Sequence, residues 1–458
     1  MLVRYLAIHR FCLVLIEHTL LMAFVLGYSA LRSYSQQSSY HYPGSLGRAF
    51  VFAITIQIIL HLADAYDFRA RFSQLRCLLG LGQAIVLACL IIWLLYSIVP
   101  ALAVAPNTFL LLLWVSPFLA AWHIFLRLYL GLLSRRSTVL ILGTGRLARA
   151  LATEIVHRPE LGFSVCGFLD DDPSLLGISI VNPKVLGVNK EVRRIVSERP
   201  VNKIVVELQD RRGRLPIDEL LELKASGVSI EEAASLYERL TGKIAVENLK
   251  PSWMIFNNGF QVSRPMLLLK DLLSFAVSAV LLVLFLPFFP LIAFLIKLDS
   301  RGPIFHRQER VGQHGKVFTL WKFRSMRTGA EKDTGPVWAS QNDNRVTRVG
   351  RYLRRTRLDE LPQLYNVLHG DMSLVGPRPE RPHFVQQLAD FIPFYHLRHS
   401  VKPGITGWAQ IHYRYGNSLE DAIEKLQYDL FYIKNISPLL DAVVIFDTVK
   451  TVLMRKGS

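Results

Sequence analysis

The chain is poor in cysteine, with four in 458 residues, at positions 12, 77, 89 and 166. They show no Cys-x-x-Cys or metal-ligand spacing, and three lie in or beside apolar runs, where cysteine behaves as a small hydrophobe. Disulfides are therefore not implied. Acidic residues are also scarce: 36 Asp and Glu against 53 Lys and Arg leave a net charge of +17. That balance suits nucleic acid, anionic lipid or phosphorylated substrates. Nothing resembles an RNA- or DNA-binding module, and the basic residues cluster beside apolar runs. No nucleic-acid partner is expected; membrane lipids and phosphates are. A last absence limits the chemistry. No Tyr-x-x-x-Lys occurs in the chain, so a short-chain-dehydrogenase or sugar-dehydratase site is missing.

Hydrophobic residues make up 51% of the chain and gather in long runs, the mark of a membrane protein. The first run, from Phe11 to Leu31, is too long for a signal-peptide core and reads as an anchor. Four transmembrane helices are expected, at 11–31, 49–65, 78–98 and 108–132. Arg4 and Arg10 precede the first, Arg69, Arg71 and Arg76 follow the second, and Arg135 and Arg136 follow the fourth. The loop between the third and fourth has no Lys or Arg, so both ends of a four-helix bundle over 1–136 are expected in the cytoplasm. Glu17, His18, His61 and Asp64 fall inside or near the end of these runs, where charge is costly. An interfacial or mutually paired structural role is the preferred reading for His61 and Asp64.

Residues 137–262 read as a Rossmann-like α/β domain. The apolar run Val139–Leu142 precedes Gly143-Thr-Gly145-Arg-Leu-Ala148 and a helix to about His157. A second strand, Val165–Leu169, ends at Asp170, and acids about 25 residues past the glycines complete the arrangement. Strand Lys203–Leu208 and helix Pro216–Ser226 continue the alternation. Gly143, Gly145 and Asp170 are the nucleotide-binding-like residues. The expected role is regulatory or structural, and whether the domain binds a nucleotide is left open.

The segment 263–298 is long enough to span a bilayer, yet Lys270 lies before its apolar core, with Lys297, Arg301, Arg307 and Arg310 after it. Pro287 and Pro290 fall mid-way and remove N–H donors. A re-entrant helix-break-helix suits this charge distribution better than a straight span. From 299 to 458 a compact basic α+β domain is expected. Val317–Met326 alternates as a strand does, which puts Lys322 and Arg324 on one face. Asp359 and Glu360 follow a ladder of arginines at 345, 348, 351, 354, 355 and 357. Leu361, Leu364, Tyr365 and Leu368 recur at helical spacing up to Gly370, so Asp359 is expected at an N-cap, held ionised by the helix start, with Pro362 in the first turn. From these residues alone, a cap is favoured over a nucleophile.

The wider pattern changes that balance. Leu353-Arg354, Leu358–Gln363, Asn366–Leu368 and Gly370–Pro379, together with Pro303–Arg310, Lys322–Met326 and Lys402–Gln410, resemble the signature of the bacterial sugar transferases, the polyprenyl-phosphate hexose-1-phosphate transferases. The resemblance covers the C-terminal third and extends more loosely to the large members with a membrane bundle and middle domain. The run 247–253 is similar to a subgroup associated with exopolysaccharide and exosortase loci. The resemblance implies transfer of a hexose-1-phosphate from a UDP-sugar to undecaprenyl phosphate, the initiating step of exopolysaccharide synthesis, on the cytoplasmic face of the membrane. It implies Asp359 as nucleophile, Mg²⁺ held by the acid pair Asp359 and Glu360, and Glu360 as either a metal ligand or a base. It gives Lys322, Arg324, Arg354, Arg378 and Arg414 to the substrate phosphates, and Pro287 to the bend of a membrane hairpin. Leu286 stands where serine is common in the family, and Ser274 where aspartate is usual. A homodimer and polysaccharide assembly proteins are further candidate partners. The competing readings are a membrane-anchored nucleotide-sugar oxidoreductase and a non-catalytic scaffold of an assembly complex.

Overall fold

The computed structural model describes residues 2–35, 45–63, 65–66, 74–100, 108–133, 137–208, 215–246, 260, 263–329, 345–413 and 418–453. The chain divides into two compact units, residues 5–236 and residues 237–458 together with 1–4.

In the first unit, four apolar helices form where the hydrophobic runs lie: α1 Leu2–Ser35, α2 Ser45–Leu62, α3 Gln74–Ile98 and α4 Thr108–Leu133. Cys12–Ala30 and Leu79–Ile98 are long and apolar enough to cross a membrane; the apolar stretches Leu46–Leu62 and Trp114–Leu126 are shorter. Leu21, Phe52, Ile56, Leu60, Ile92 and Leu111 are buried between the helices, whereas Leu15, Val86, Leu90 and Trp93 point outward. Outward apolar faces of this kind suit a lipid surrounding.

The expected polar groups have partners that the sequence did not name. Glu17 is fully buried; it accepts from Tyr66 Oη at 2.7 Å and lies 3.3 Å from Nε2 of buried His123. His18 Nδ1 meets Gln57 Oε1 at 2.8 Å, and Gln57 Nε2 donates to the Val14 carbonyl. His61 is buried, and Asp64 lies outside the described residues.

The same unit carries a five-stranded, wholly parallel sheet: β1 Ser137–Leu142, β2 Phe163–Leu169, β3 Val185–Gly187, β4 Lys203–Val206 and β5 Ser229–Glu232, in the order β3-β2-β1-β4-β5. Helices α5 Arg146–His157, α6 Val192–Glu198 and α7 Ile217–Ala225 connect the strands. Residues 139–142 of β1 are an unbroken apolar run because a parallel strand is covered on both faces. Leu140, Leu142, Leu169, Ile195, Ile204 and Leu223 form one core.

The second unit takes in residues 237–246, which pack on its helices: Trp408 Nε1 donates to the Gly242 carbonyl at 3.0 Å, and Lys434 pairs with Glu238 at 2.6 Å. A helix Arg264–Phe285 runs into a 3₁₀ turn, Leu286–Phe288, and a second helix, Phe289–Asp299. Pro287 sits in the turn. Pro290 instead falls in the first turn of the second helix, where its missing N–H costs little. Ile292 and Ile296 of the second helix bury against Phe323 and Leu353. At the other end, Lys270 and Ser274 of the first helix are buried: Lys270 Nζ donates to the Val375 carbonyl, Tyr432 Oη and Asp441 Oδ2 at 2.7–2.8 Å. Ser274 Oγ meets Ser373 Oγ at 2.9 Å.

The strands of this unit are short. β6 Phe305–Val311 and β7 Val317–Phe323 form an antiparallel pair, and β8 Ser373–Val375 runs parallel to β9 Gly404–Thr406. The terminal helix Pro438–Leu453 buries Leu440, Val443 and Val444, and Thr448 bonds Thr406 of β9 at 2.7 Å.

Candidate active site

Two adjacent carboxylates organise the site. The helix Arg348–Arg355 is capped by Thr347, whose side chain accepts from the Gly350 amide, and it delivers the chain to Arg357. Arg357 takes a left-handed conformation with φ 58°, uncommon for a residue with a side chain, and so turns the chain sharply. Leu358–Glu360 then form a 3₁₀ turn, and the helix Gln363–His369 starts only after Pro362. This corrects the expected geometry: Asp359 is not an N-cap. Pro362, rather than Asp359, occupies the position before the first helical residue, and no helix start holds Asp359 ionised.

The two acids differ in environment. Glu360 is buried, with Lys322 Nζ at 3.3 Å, Arg357 Nη1 at 3.3 Å and Arg378 Nη2 at 3.1 Å. Burial pushes its carboxyl up, but Lys322, Arg378 and Arg357 outweigh burial and hold it well below the usual carboxylate range. Asp359 is as buried, yet its Oδ1 has no hydrogen-bond partner among the described residues. Burial, and then the charge of Glu360, push its carboxyl up; Lys322, Arg357 and Arg354 pull against them. Lys322 is itself pushed down by burial, with Glu360 opposing.

Asp359 opens into a cavity of about 590 Å³ whose wall includes Arg310, Lys322, Arg354, Arg357, Arg378 and Arg381. Such a lining fits a small, highly anionic ligand. Among the described residues no three His, Cys, Asp or Glu side chains gather to hold a metal unaided. A pair of carboxylates that leaves room for water and substrate phosphates is the kind of donor set Mg²⁺ takes.

The structure brings together Lys322, Arg354, Arg378, Asp359 and Glu360, from four separated stretches of sequence. Arg324 departs from its expected role. Although it borders the cavity, its Nη2 donates to the Ser300 carbonyl at 2.7 Å and to Ser300 Oγ at 3.0 Å, at the end of the Phe289–Asp299 helix. There it offsets the helix's exposed carbonyls. Gly302 permits this, since a Cβ there would lie 2.2 Å from Arg324 Nη1. Arg414 and residues 247–253 lie outside the described residues. Arg357 was visible only as one rung of the arginine ladder; its positive φ carries no sequence signal.

The glycine turn of the parallel sheet is filled from within. Gly143, at φ 100°, leads β1 into α5, and Thr144 Oγ1 donates to Asp170 Oδ2 at 2.6 Å. The Gly145 amide donates to Glu207 Oε2 at 3.1 Å, and a Cβ on Gly145 would lie 2.3 and 2.4 Å from the two Glu207 carboxylate oxygens. The close approach that the second glycine of such a turn ordinarily allows a phosphate is used here by the chain's own carboxylate.

Residues 266–455 match the family described as bacterial sugar transferase. The chain is 35% identical over 333 residues to the UDP-glucose:undecaprenyl-phosphate glucose-1-phosphate transferase of Escherichia coli K12, covering 70% of this chain and 68% of that one. It belongs to the bacterial sugar transferase family. It is also 40% identical over 232 residues to a UDP-N-acetylgalactosamine-undecaprenyl-phosphate N-acetylgalactosaminephosphotransferase of Aeromonas hydrophila, covering 50% of this chain and 54% of that one. An exopolysaccharide production protein PSS of Rhizobium leguminosarum is 41% identical over 197 residues, 41% of this chain and 97% of its own length. The sugar transferase chain thus spans between about half and two thirds of the two larger relatives.

Proposed function

We propose that this sugar transferase moves a hexose-1-phosphate from a UDP-sugar to undecaprenyl phosphate, releasing UMP, in the first step of exopolysaccharide assembly. The observation that carries the reading is Asp359: a buried carboxylate, with one oxygen that has no hydrogen-bond partner among the described residues, bordering a cavity lined by Lys322 and several arginines. An oxygen of ionised Asp359 attacks the sugar-side phosphorus, the bond from that phosphorus to the bridging oxygen breaks, and UMP leaves with the electron pair. The lipid phosphate then attacks the same phosphorus, and the acyl-phosphate bond breaks to return the carboxylate. The covalent relay divides the meeting of a water-soluble donor and a membrane-held acceptor into two simpler steps. Lys322, Arg354 and Arg378 bind the phosphates, and Arg357 steadies Glu360. Asp359 and Glu360 would hold Mg²⁺ with the donor's diphosphate, and the bound ion would neutralise charge on the phosphate oxygens.

In this reading the segment 264–299 enters and leaves the membrane on one side, and the catalytic unit faces the cytoplasm. Support comes from packing. Lys270 and Ser274 near one end, and Ile292 and Ile296 near the other, bury against the same unit, while Val280 and Val283 between them are 66% and 73% exposed. The glycine-turn domain is Rossmann-like with a structural or regulatory role; the missing Tyr-x-x-x-Lys and the internal Glu207 both speak against redox chemistry.

The test is UMP release by the full chain in nanodiscs, with undecaprenyl phosphate and a panel of UDP-sugars. Asp359→Asn should lose UMP release and any hydroxylamine-sensitive phosphosugar adduct; an active Asn variant would rule out the covalent route. Cysteine probes in 137–208 and 345–413 should both be shielded from external labelling in intact cells. Labelling of the second set alone would mean a straight span.

A further inference from the structure

Arg378 sits between Pro377 and Pro379, neither of which has a backbone N–H, so its loop is held largely through carbonyls. Each is taken in turn. The Pro377 carbonyl accepts from the Gly404 amide at 2.9 Å, and the Glu380 carbonyl from the Val311 amide at 2.9 Å. The Pro379 carbonyl accepts from Arg310 Nη1 at 3.0 Å, and the carbonyl of Arg378 itself accepts from Arg398 Nη2 at 2.9 Å.

Arg398 borders the same cavity, but its side chain is only 6% exposed and its polar contacts are to protein. Besides the Arg378 carbonyl, Nη1 donates to Tyr395 Oη at 2.6 Å, and Nη2 pairs with Asp429 Oδ2 at 2.9 Å. Tyr395 and Arg398 share one short 3₁₀ helix, entered through Phe394 at φ 62°, and Asp429 comes from the middle of the helix Leu419–Lys434. A guanidinium with its terminal nitrogens engaged in this way is poorly placed to bind substrate. It is well placed to fix the peptide that aims Arg378 at Glu360 and the cavity.

We infer that Arg398 is a positioning residue for the transfer reaction, acting through the Arg378 carbonyl to hold the Arg378 guanidinium where it meets the donor's phosphates. This rests on the proposed role of Arg378. Asp429 and Tyr395 orient Arg398 in turn. Lysine cannot replace it, because a single ammonium lacks the planar fork that reaches Tyr395 on one side and the carbonyl and Asp429 on the other.

A double-mutant cycle on the full chain in nanodiscs tests the inference. Arg398→Lys should lower kcat/KM for the UDP-sugar by about tenfold or more, the scale of a lost charge-assisted bond. Arg378→Ala should lower it as well, and the double variant should fall within about twofold of Arg378→Ala alone, because both changes remove one interaction. Asp429→Asn loosens Arg398 but leaves the bond to the Arg378 carbonyl in place, so it should lower kcat/KM less than Arg398→Lys. Multiplying losses in the cycle, an unimpaired Arg398→Lys, or an Asp429→Asn as damaged as Arg398→Lys would each overturn the inference. Hydrogen exchange decides independently of activity. The peptide spanning 374–381 should exchange faster in Arg398→Lys by more than peptides elsewhere in the same unit, and unchanged exchange would refute the role. Wild-type protein that releases no UMP would count against the proposed function alone.

Discussion

Replacing Lys270 with methionine removes a cation that is 3% exposed and makes three hydrogen bonds: to Asp441, Tyr432 and the Val375 carbonyl. Methionine has a similar reach, so the change is chiefly electrostatic. It leaves the Asp441 carboxylate, itself only 13% exposed, without its counter-charge. Breaking a buried pair from one side costs about 3–5 kcal/mol, because the remaining charge stays desolvated. For a unit of this size that corresponds to a fall in Tm of roughly 10 °C. Tyr432 keeps an acceptor in the Val375 carbonyl at 3.2 Å, so the loss should not grow much beyond that range. The assay is thermal unfolding of the full chain in nanodiscs, followed by tryptophan fluorescence. Lys270→Met combined with Asp441→Leu should recover much of the loss, since an apolar pair of similar volume replaces a buried ion pair at little cost. A single variant within about 1 kcal/mol of wild type, or losses that simply add in the double, would refute a buried ion pair fixing the helix Arg264–Phe285 to the helix Pro438–Leu453.

Two further outcomes are specific to the site and the glycine turn. The acid limb of UMP release should lie above the ordinary aspartate range, because burial and Glu360 raise Asp359 and its ionised form attacks. Glu360→Gln removes the raising charge and leaves Lys322, Arg357 and Arg354 to act on Asp359. The limb of the residual activity should therefore move to lower pH, and a move upward would contradict the coupling. In the glycine turn, Gly143→Ala should destabilise more than Gly145→Ala in thermal unfolding. At Gly143 the backbone is at φ 100° and a Cβ would lie 2.3 Å from the Glu207 carbonyl oxygen, whereas at Gly145 it meets only the mobile end of the Glu207 side chain. The reverse order would show that the Glu207 carboxylate is held too firmly to yield to the added methyl.

How much of this was legible in the sequence depends on the distance over which each feature is decided. The parallel sheet announced itself locally, through four consecutive apolar residues in β1, the glycines at 143 and 145 and the acid at 170. The apolar helices did so through the length of their runs. What fills the glycine turn did not, because Glu207 arrives 62 residues after Gly145. The buried partner of Glu17 is likewise remote, with Tyr66 49 positions away. No local pattern could have matched them.

The acid pair marks the same limit within one dipeptide. Spacing located Asp359 and Glu360 and grouped them with arginines, but the helical periodicity from Leu361 suggested a helix start three residues too early. The positive φ at Arg357 and the 3₁₀ turn after it decide which way each carboxylate faces. Glu360 turns toward Lys322, 38 residues earlier, and Arg378, 18 residues later, and those cations fix it as an anion. At Asp359 burial and its neighbour's negative charge outweigh Lys322, Arg357 and Arg354, and Oδ1 has no hydrogen-bond partner among the described residues. Two carboxylates pushed in opposite directions by their surroundings is the pattern that assigns different chemical roles to adjacent acids. The division of labour is therefore a property of the fold around the pair: exchanging Asp359 and Glu360 would keep the composition and charge of the dipeptide, yet it would put the longer side chain where Asp359 borders the cavity and the shorter one among the cations that hold Glu360.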